Sequence, residues 1–371
     1  MTAGDLRPGG RLESLDAFRG LTIAGMILVN NPGSWSHVYP PLLHAEWHGW
    51  TPTDLIFPFF LFIVGVSIPF SFGKRLARGD SRKTLFLHIL RRSVILFGLG
   101  LFMAAFPRFD LLNIRIMGVL QRIGLVYLFV ASSYLVLGRK GRGLALALLL
   151  LGYWALLTLV PVPGYGPGEL SPEGNLGAYL DRMIMGDHLW REMWDPEGLL
   201  STLPAMGTTL LGLYAGEWIR AGDRRPRVAG GLLVAGVAGA ALGWIWGLAF
   251  PINKGLWTSS YVLFTAGAAS VLLAFMYWMM EIREWRAWAR PLVVYGMNAI
   301  AVFVASGLLA RVLGAVRLGG EGTSLKGWIY ETLFASWAGP LNGSLAFALA
   351  YVLFWLGVMW ILYRKGIFIK V

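Results

Sequence analysis

The 371-residue chain contains no cysteine, which excludes disulfide staples and thiolate chemistry and leaves its redox compartment unmarked. Charge is scarce: Asp, Glu, Lys and Arg make up 14% of the residues, against 56% apolar. A soluble domain of this length needs more charge to cover its surface, so that class is excluded. An internal repeat is also missing, which argues against the inverted-repeat architecture of many transporters. The first apolar run lacks a small-residue cleavage site, ends in Asn30-Asn31-Pro32 and reads as a retained helix.

What is abundant is apolar and aromatic. There are 48 Gly and 17 Trp, an enrichment that suits a polytopic membrane protein. Apolar runs of about 20 residues, each able to cross a hydrocarbon core of about 30 Å, fall at 17–35, 53–73, 86–106, 116–137, 143–161, 199–219, 229–250, 256–280, 291–315 and 344–363. The expected fold is therefore all-α: one polytopic transmembrane domain over 1–371, a bundle of about ten helices. Two long segments, 162–198 and 316–343, are expected on the outer face. Spaced apolar residues at 175–185 and 324–337 predict short helices lying on that surface.

The net charge of +12 reports orientation, not nucleic-acid binding. With the N-terminus placed inside, the inner segments hold 21 Lys and Arg and the outer ones seven. The inner set includes Arg7, Arg11, Arg19, Lys74, Arg75, Arg224 and Lys370, whereas the first outer loop has none. Such alternation is the positive-inside pattern and predicts both termini in the cytoplasm.

One loop carries the densest chemistry: His44-Ala45-Glu46-Trp47-His48-Gly49-Trp50-Thr51-Pro52-Thr53-Asp54. A histidine and a carboxylate ten residues apart sit at the mouth of two apolar helices. An imidazole oriented by a carboxylate can take a proton from a nucleophile near neutral pH. The plainer reading of His44 is an interfacial histidine, although Trp47 and Trp50 can wall it from bulk water. Asp54 also has the spacing of a capping box, with Thr51 as N-cap and Pro52 at the first helical position. The roles are compatible, since one carboxylate oxygen can face the helix amides while the other accepts from His44. His44 and His48 have a zinc-binding spacing, but no third ligand lies near beyond Glu46 and His37, and no metal is expected.

Other polar residues divide by depth. Asn30 and Asn31 close the first helix, either as a C-cap before Pro32 or as an amide aimed at a polarised carbonyl. An Arg near a helix centre costs about 2.5–3.5 kcal/mol on insertion scales. Gln121-Arg122, several residues inside the fourth span, is therefore read as a ligand contact or ion-pair partner. Arg91 and Arg92 lie at the inner end of the third span, where snorkelling explains them as well as function does. Asp16 and Arg19 form a helix-end pair. Asn253-Lys254, on a charge-poor outer turn, is a further candidate for a polar ligand.

Together these residues resemble the heparan-α-glucosaminide N-acetyltransferase family, which includes a lysosomal enzyme and many bacterial relatives. The likeness rests on Ser14-Leu15-Asp16-Ala17-Phe18-Arg19-Gly20, on Val29-Asn30, and on His44-x-x-Trp47-x-Gly49-x-Thr51-x-x-Asp54-Leu55-x-Phe57-Pro58. It continues through Gly118-Val119-Leu120-Gln121-Arg122-Ile123, Asp195-Pro196-Glu197-Gly198, Pro251-x-Asn253-Lys254-x-Leu256-Trp257-x-x-Ser260-Tyr261-Val262 and Gly296-Met297-Asn298. The resemblance implies acetyl transfer from cytoplasmic acetyl-CoA to the amine of a glucosamine-type sugar on the far side. It implies His44 as the catalytic residue, with Asp54 and Asn30 beside it. Arg19, Arg91, Arg92, Gln121 and Arg122 are then expected to hold the donor, and Trp47, Glu197, Asn253 and Lys254 the acceptor. Expected partners are the amino sugar, the bilayer and, in one arrangement, a second copy of the chain; the expected location is the cytoplasmic membrane. A glycan O-acetyltransferase and a secondary transporter for a sugar or anion are the alternatives. Transporter sites lie near the midplane, whereas His44, Asp54 and Asn30 gather at one face. Reporter fusions in 36–50 and in 78–82 should fall on opposite sides of the membrane; the same side for both would overturn the topology.

Overall fold

The structure, a computed structural model, describes residues 12–222, 225–318 and 322–369. Arg7, Arg11, Arg224 and Lys370, which contribute to the charge asymmetry, lie outside the described residues. The regular elements of the described residues are all helices, with two isolated bridges, Val162–Gly166 and Arg317–Ser324, and no strand.

The chain runs through α1 (Glu13–Asn30), α2 (Pro52–Ala77), α3 (Arg82–Ala105), α4 (Val119–Val136) and α5 (Arg139–Leu159). Then come α6 (Leu176–Met185), α7 (Thr202–Ala221), α8 (Arg225–Trp246) and α9 (Ser259–Tyr277), which continues as a π turn to Ile282. The last set is α10 (Arg290–Met297), α11 (Ala299–Ala315), α12 (Leu325–Tyr330) and α13 (Ser336–Arg364). Local signals explain the starts. The Ser81 hydroxyl accepts from the Thr84 amide at 3.1 Å to open α3, and Asn175 accepts from the Ala178 amide at 2.8 Å to open α6. Helix α6 ends at Gly186, where φ is +54°.

Helices lie at all ten apolar runs, but fewer qualify as spans. Among the described residues seven are long and apolar enough to cross a membrane, or eight if the pair 287–297 and 299–315, bent by 72°, counts as one. The shortfall falls on α1, which carries Glu13, Asp16 and Arg19, and on α7, which is rich in Gly and Thr. The segment 316–343, expected on the outer face, holds less loop than expected, because α13 already begins at Ser336, broken only at Gly339 (φ +75°) ahead of Pro340. At the bend, Asn298 donates to the Ile367 carbonyl (3.1 Å) and accepts from the Ile369 amide (2.8 Å), so the last residues described are tied to the break.

Three helix pairs pack backbone to backbone through glycine. A Cβ on Gly212 of α7 would stand 2.0 Å from the Phe62 carbonyl oxygen of α2, and one on Gly65 would stand 2.0 Å from that of Thr209. Gly20 of α1 meets the Leu292 carbonyl, and Gly296 of α10 meets that of Asp16. Helices α8 and α9 touch the same way at Gly243 and Gly267. Small residues allow this approach where burial against lipid gives no driving force, so dispersion has to hold helices together. Two motifs of the family resemblance, at Gly20 and Gly296, are thus one packing contact. Gly212→Val forces α2 and α7 apart and should cost about 1–3 kcal/mol, read as a lower unfolding midpoint of the purified protein. Gly230→Ala, with open space at its Cβ, should leave the midpoint unchanged or raise it slightly.

Candidate active site

The site forms where the loop after α1 folds back onto the first turn of α2. Asp54 lies in that turn with its side chain 1% exposed, and its two oxygens do different work. Oδ2 accepts from the Thr51 amide (3.0 Å), the Thr51 hydroxyl (3.2 Å) and the Ala45 amide (3.0 Å), which closes the helix end. Oδ1 stands 2.6 Å from Nδ1 of His44. A carboxylate there fixes Nδ1 as the protonated nitrogen and leaves Nε2 as the basic one. The His44 side chain is 52% exposed, so a reactant can reach the ring.

Lys254 completes the centre. Its Nζ is 3.0 Å from Nδ1 and 3.2 Å from Nε2 of His44, and 3.5 Å from Oδ1 of Asp54. It rides on a turn held from below. Asn253 is fully buried, donates to the Trp47 carbonyl (2.9 Å) and accepts from the Leu256 amide (2.8 Å). Its amide is engaged in joining the two loops. Trp257, also fully buried, has φ +53°, a strained value for a bulky residue that only dense surroundings sustain. Those surroundings are Phe57 and Tyr261, both with ring centroids 5.3 Å away, and the Thr208 hydroxyl, which accepts from the indole at 3.2 Å. The Tyr261 hydroxyl in turn donates to the Asp54 carbonyl at 2.5 Å. Burial lowers the Lys254 ammonium from its ordinary pKa, and the charges of Asp54 and Glu197 offset this only in part.

A second polar cluster backs the first. Arg115 bridges Asp195 (2.9 and 2.5 Å) and Glu197 (2.5 Å). Burial raises the Glu197 carboxyl, but Arg115, Arg122 and Lys254 outweigh it and hold the group below the usual carboxylate range. Arg122, fully buried, donates to the Gly198 carbonyl (3.1 Å) and to the Ser201 hydroxyl and lies 5.0 Å from the centroid of the Trp257 ring. Asp181 of α6 accepts from the Leu199 amide at 2.9 Å, and burial pushes its carboxyl up to about 6.

The other expected residues are placed as follows. Trp47 donates its indole N–H to the Leu170 carbonyl (2.8 Å) and meets Trp194 edge-on at 5.0 Å. Asn30 is exposed at the last position of α1 and is not among the hydrogen-bond partners of His44 or Asp54, while Asn31 caps the helix through the Ile27 carbonyl. Arg19 bonds Asp16 and Ser67, both at 2.9 Å. Because α3 starts at Arg82, Arg91 and Arg92 lie near mid-helix and not at its inner end. Arg92 stacks 4.7 Å from the centroid of the Tyr127 ring, and its Nε is buried without a partner. Gln121 and Arg122 occupy the first turn of α4, and the contacts of Arg122 put them at the His44 end of the bundle, away from Arg75. Gln121 fills the gap beside Gly100, where a Cβ would come within 2.2 Å of its amide. Sequence reasoning missed Arg115, Asp181 and Trp194 as members of the site. Arg115 looked like one more outer cation, and nothing in the spacing of Asp181 and Trp194 links them to His44. Among the described residues no group of three or more His, Asp or Glu is placed to hold a metal.

A His–Asp–Lys centre at one end of an all-helical bundle of multi-pass membrane type defines the class. A family model described as "Domain of unknown function (DUF5009)" matches residues 11–111. The human heparan-alpha-glucosaminide N-acetyltransferase is 30% identical over 424 aligned positions, covering 97% of this chain and 60% of the human protein. The mouse protein of that name is 30% identical over 357 positions, covering 79% of this chain and 53% of the mouse protein. This chain belongs to that family, and it spans between about half and three fifths of the length of these relatives.

The Asp181 carboxyl yields a pH test. Its folded pKa, about 6, is raised, so its contribution to stability is full below about pH 4 and is lost as pH rises through about 6. Asp181→Asn keeps an acceptor for Leu199 and removes that loss. Relative to the parent it should gain on the order of 2–3 kcal/mol between pH 4 and 7, read as a growing difference in unfolding midpoint; a constant difference would refute the assignment.

Proposed function

We propose that this chain is a membrane acetyltransferase that moves the acetyl group of cytoplasmic acetyl-CoA to the amine of a glucosamine-type sugar at the outer face. The observation that carries the reading is the division of Asp54 between the α2 cap and His44, which orients a half-exposed imidazole with Nε2 as its basic nitrogen. The relatives' name, an N-acetyltransferase acting on a glucosaminide, supports the reaction class. In this reading all ten apolar runs cross the membrane, those of α1 and α7 included, with both termini inside. The glycines at their contacts suit that arrangement.

The donor's phosphates require cations away from His44. Arg75, Arg91 and Arg92 all bear electrostatically on His88, and Arg92 keeps an unpartnered N–H. Such a set fits phosphate in kind. Arg75 lies 21 residues beyond Asp54 on the same helix, about 30 Å at 1.5 Å per residue, so a long arm has to run between the helices to bring its thioester to the other end. The acceptor amine attacks the thioester carbonyl while Nε2 of His44 takes the amine proton. The C–N bond forms, the tetrahedral intermediate collapses, the C–S bond breaks, and coenzyme A leaves as thiolate to be protonated. Lys254 is the donor best placed to meet the developing oxyanion, and Asn30, exposed at the last position of α1, is assigned the role of a second amide there on the family resemblance alone. Trp47 and Trp194 offer the sugar an aromatic wall, with Glu197 behind Lys254 to hold the charge balance.

His44→Ala should lower acetyl transfer by about 10²–10⁴-fold while acetyl-CoA binding, followed by calorimetry, is retained. Asp54→Asn should reduce turnover strongly, since an amide preserves part of the cap but not the charge that steadies the imidazolium. Parent-level acetylation of glucosamine by His44→Ala would sink the mechanism.

A further inference from the structure

Helices α4 and α5 are joined by Leu137-Gly138 but hardly approach one another beyond that turn. The gap between them, floored by α7, is a groove of about 400 Å³. Its walls include Phe129, Leu148, Leu156, Leu203 and Leu210, and Phe129 and Leu148 are more than half exposed. The polar groups at its edge are all engaged. The Ser133 hydroxyl donates to the Val130 carbonyl (2.7 Å), and the Tyr153 hydroxyl donates to the Leu256 carbonyl (2.5 Å). A void without a free polar group does not hold water, and within a bilayer its filling is hydrocarbon. Gly152 keeps it open, since a Cβ there meets nothing within 4 Å. The same Tyr153 bond ties the groove to the turn that carries Lys254, two residues before Leu256. A chain lying in the groove would therefore run past Tyr153, one hydrogen bond from the turn whose Lys254 meets His44.

We propose that this groove seats the hydrocarbon chain of the acceptor, so that the amino sugar arrives as a membrane-anchored glycolipid entering sideways between α4 and α5. The inference rests on the acetyl-transfer reading and narrows its acceptor. The test compares hexadecyl β-glucosaminide with methyl β-glucosaminide, using the purified protein in nanodiscs with acetyl-CoA. The parent should prefer the hexadecyl acceptor. Gly152→Phe should lower kcat/KM for it by about tenfold, as expected from losing the burial of two or so methylenes, and leave methyl glucosaminide unchanged. Because partitioning into the nanodisc is the same for both proteins, an equal hexadecyl rate in Gly152→Phe would overturn the proposal. Gly152→Ala, which leaves most of the groove open, should behave as the parent and separates filling from misfolding. Should the parent acetylate neither sugar, the reaction assignment fails, and photolabelling then decides on the groove alone. A diazirine-bearing hexadecyl glucosaminide should label α5, and unlabelled hexadecyl glucosaminide should suppress that labelling better than hexadecylphosphocholine. Equal suppression by both would make the groove a seat for bulk lipid and overturn the proposal.

Discussion

A single buried carboxylate organises this end of the molecule. Removing a charge from water is costly unless hydrogen bonds replace the lost hydration, and Asp54 receives them from the Thr51 and Ala45 amides, the Thr51 hydroxyl and His44. These partners come from the loop that precedes α2, so satisfying the carboxylate also shapes the loop. Rotating the side chain to improve one contact would break another, which fixes the imidazole without any further clamp. Lys254 then adds the countercharge from a separate part of the chain, carried on a turn whose own geometry is strained and held in place by Trp257.

The sequence made part of this visible. The spacing of Thr51 to Asp54 reads as a cap, and the histidine ten residues earlier reads as a partner, because both signals are local. Helix positions follow from apolar runs for the same reason. Long-range pairing leaves no such trace. Asn253 reads as a ligand contact but is spent on joining loops more than 200 residues apart. Arg122 reads as a deep ligand contact or ion-pair partner because the apolar run begins three residues before α4 does, whereas it stands in the helix's first turn. Arg115 and Asp181 carry no spacing that links them to His44. Among the described residues, the hydropathy criterion passes over α1 and α7, where polar and small residues serve packing, since mean hydropathy does not register a glycine that lets two backbones touch.

Those glycine contacts bear on how the site is held. The α2–α7 contact at Gly65 and Gly212 sets the helix that carries Asp54 against the one that carries Thr208, to which Trp257 is bonded. A rigid pair beneath a polar loop cluster lets the loops remain short of regular structure and still hold a geometry measured in tenths of an ångström. Catalytic groups on loops need such a scaffold, because loops supply few packing contacts of their own.

The bend at Asn298 has a practical reach. Its side chain pairs with the backbone of Ile367 and Ile369, so the amide at the break is held by the segment that follows α13. That makes residues 367–369 part of the helix bundle in the sense that matters for protein engineering. A reporter fused directly at Arg364 would remove both partners and leave the Asn298 amide unsatisfied at the bend between α10 and α11.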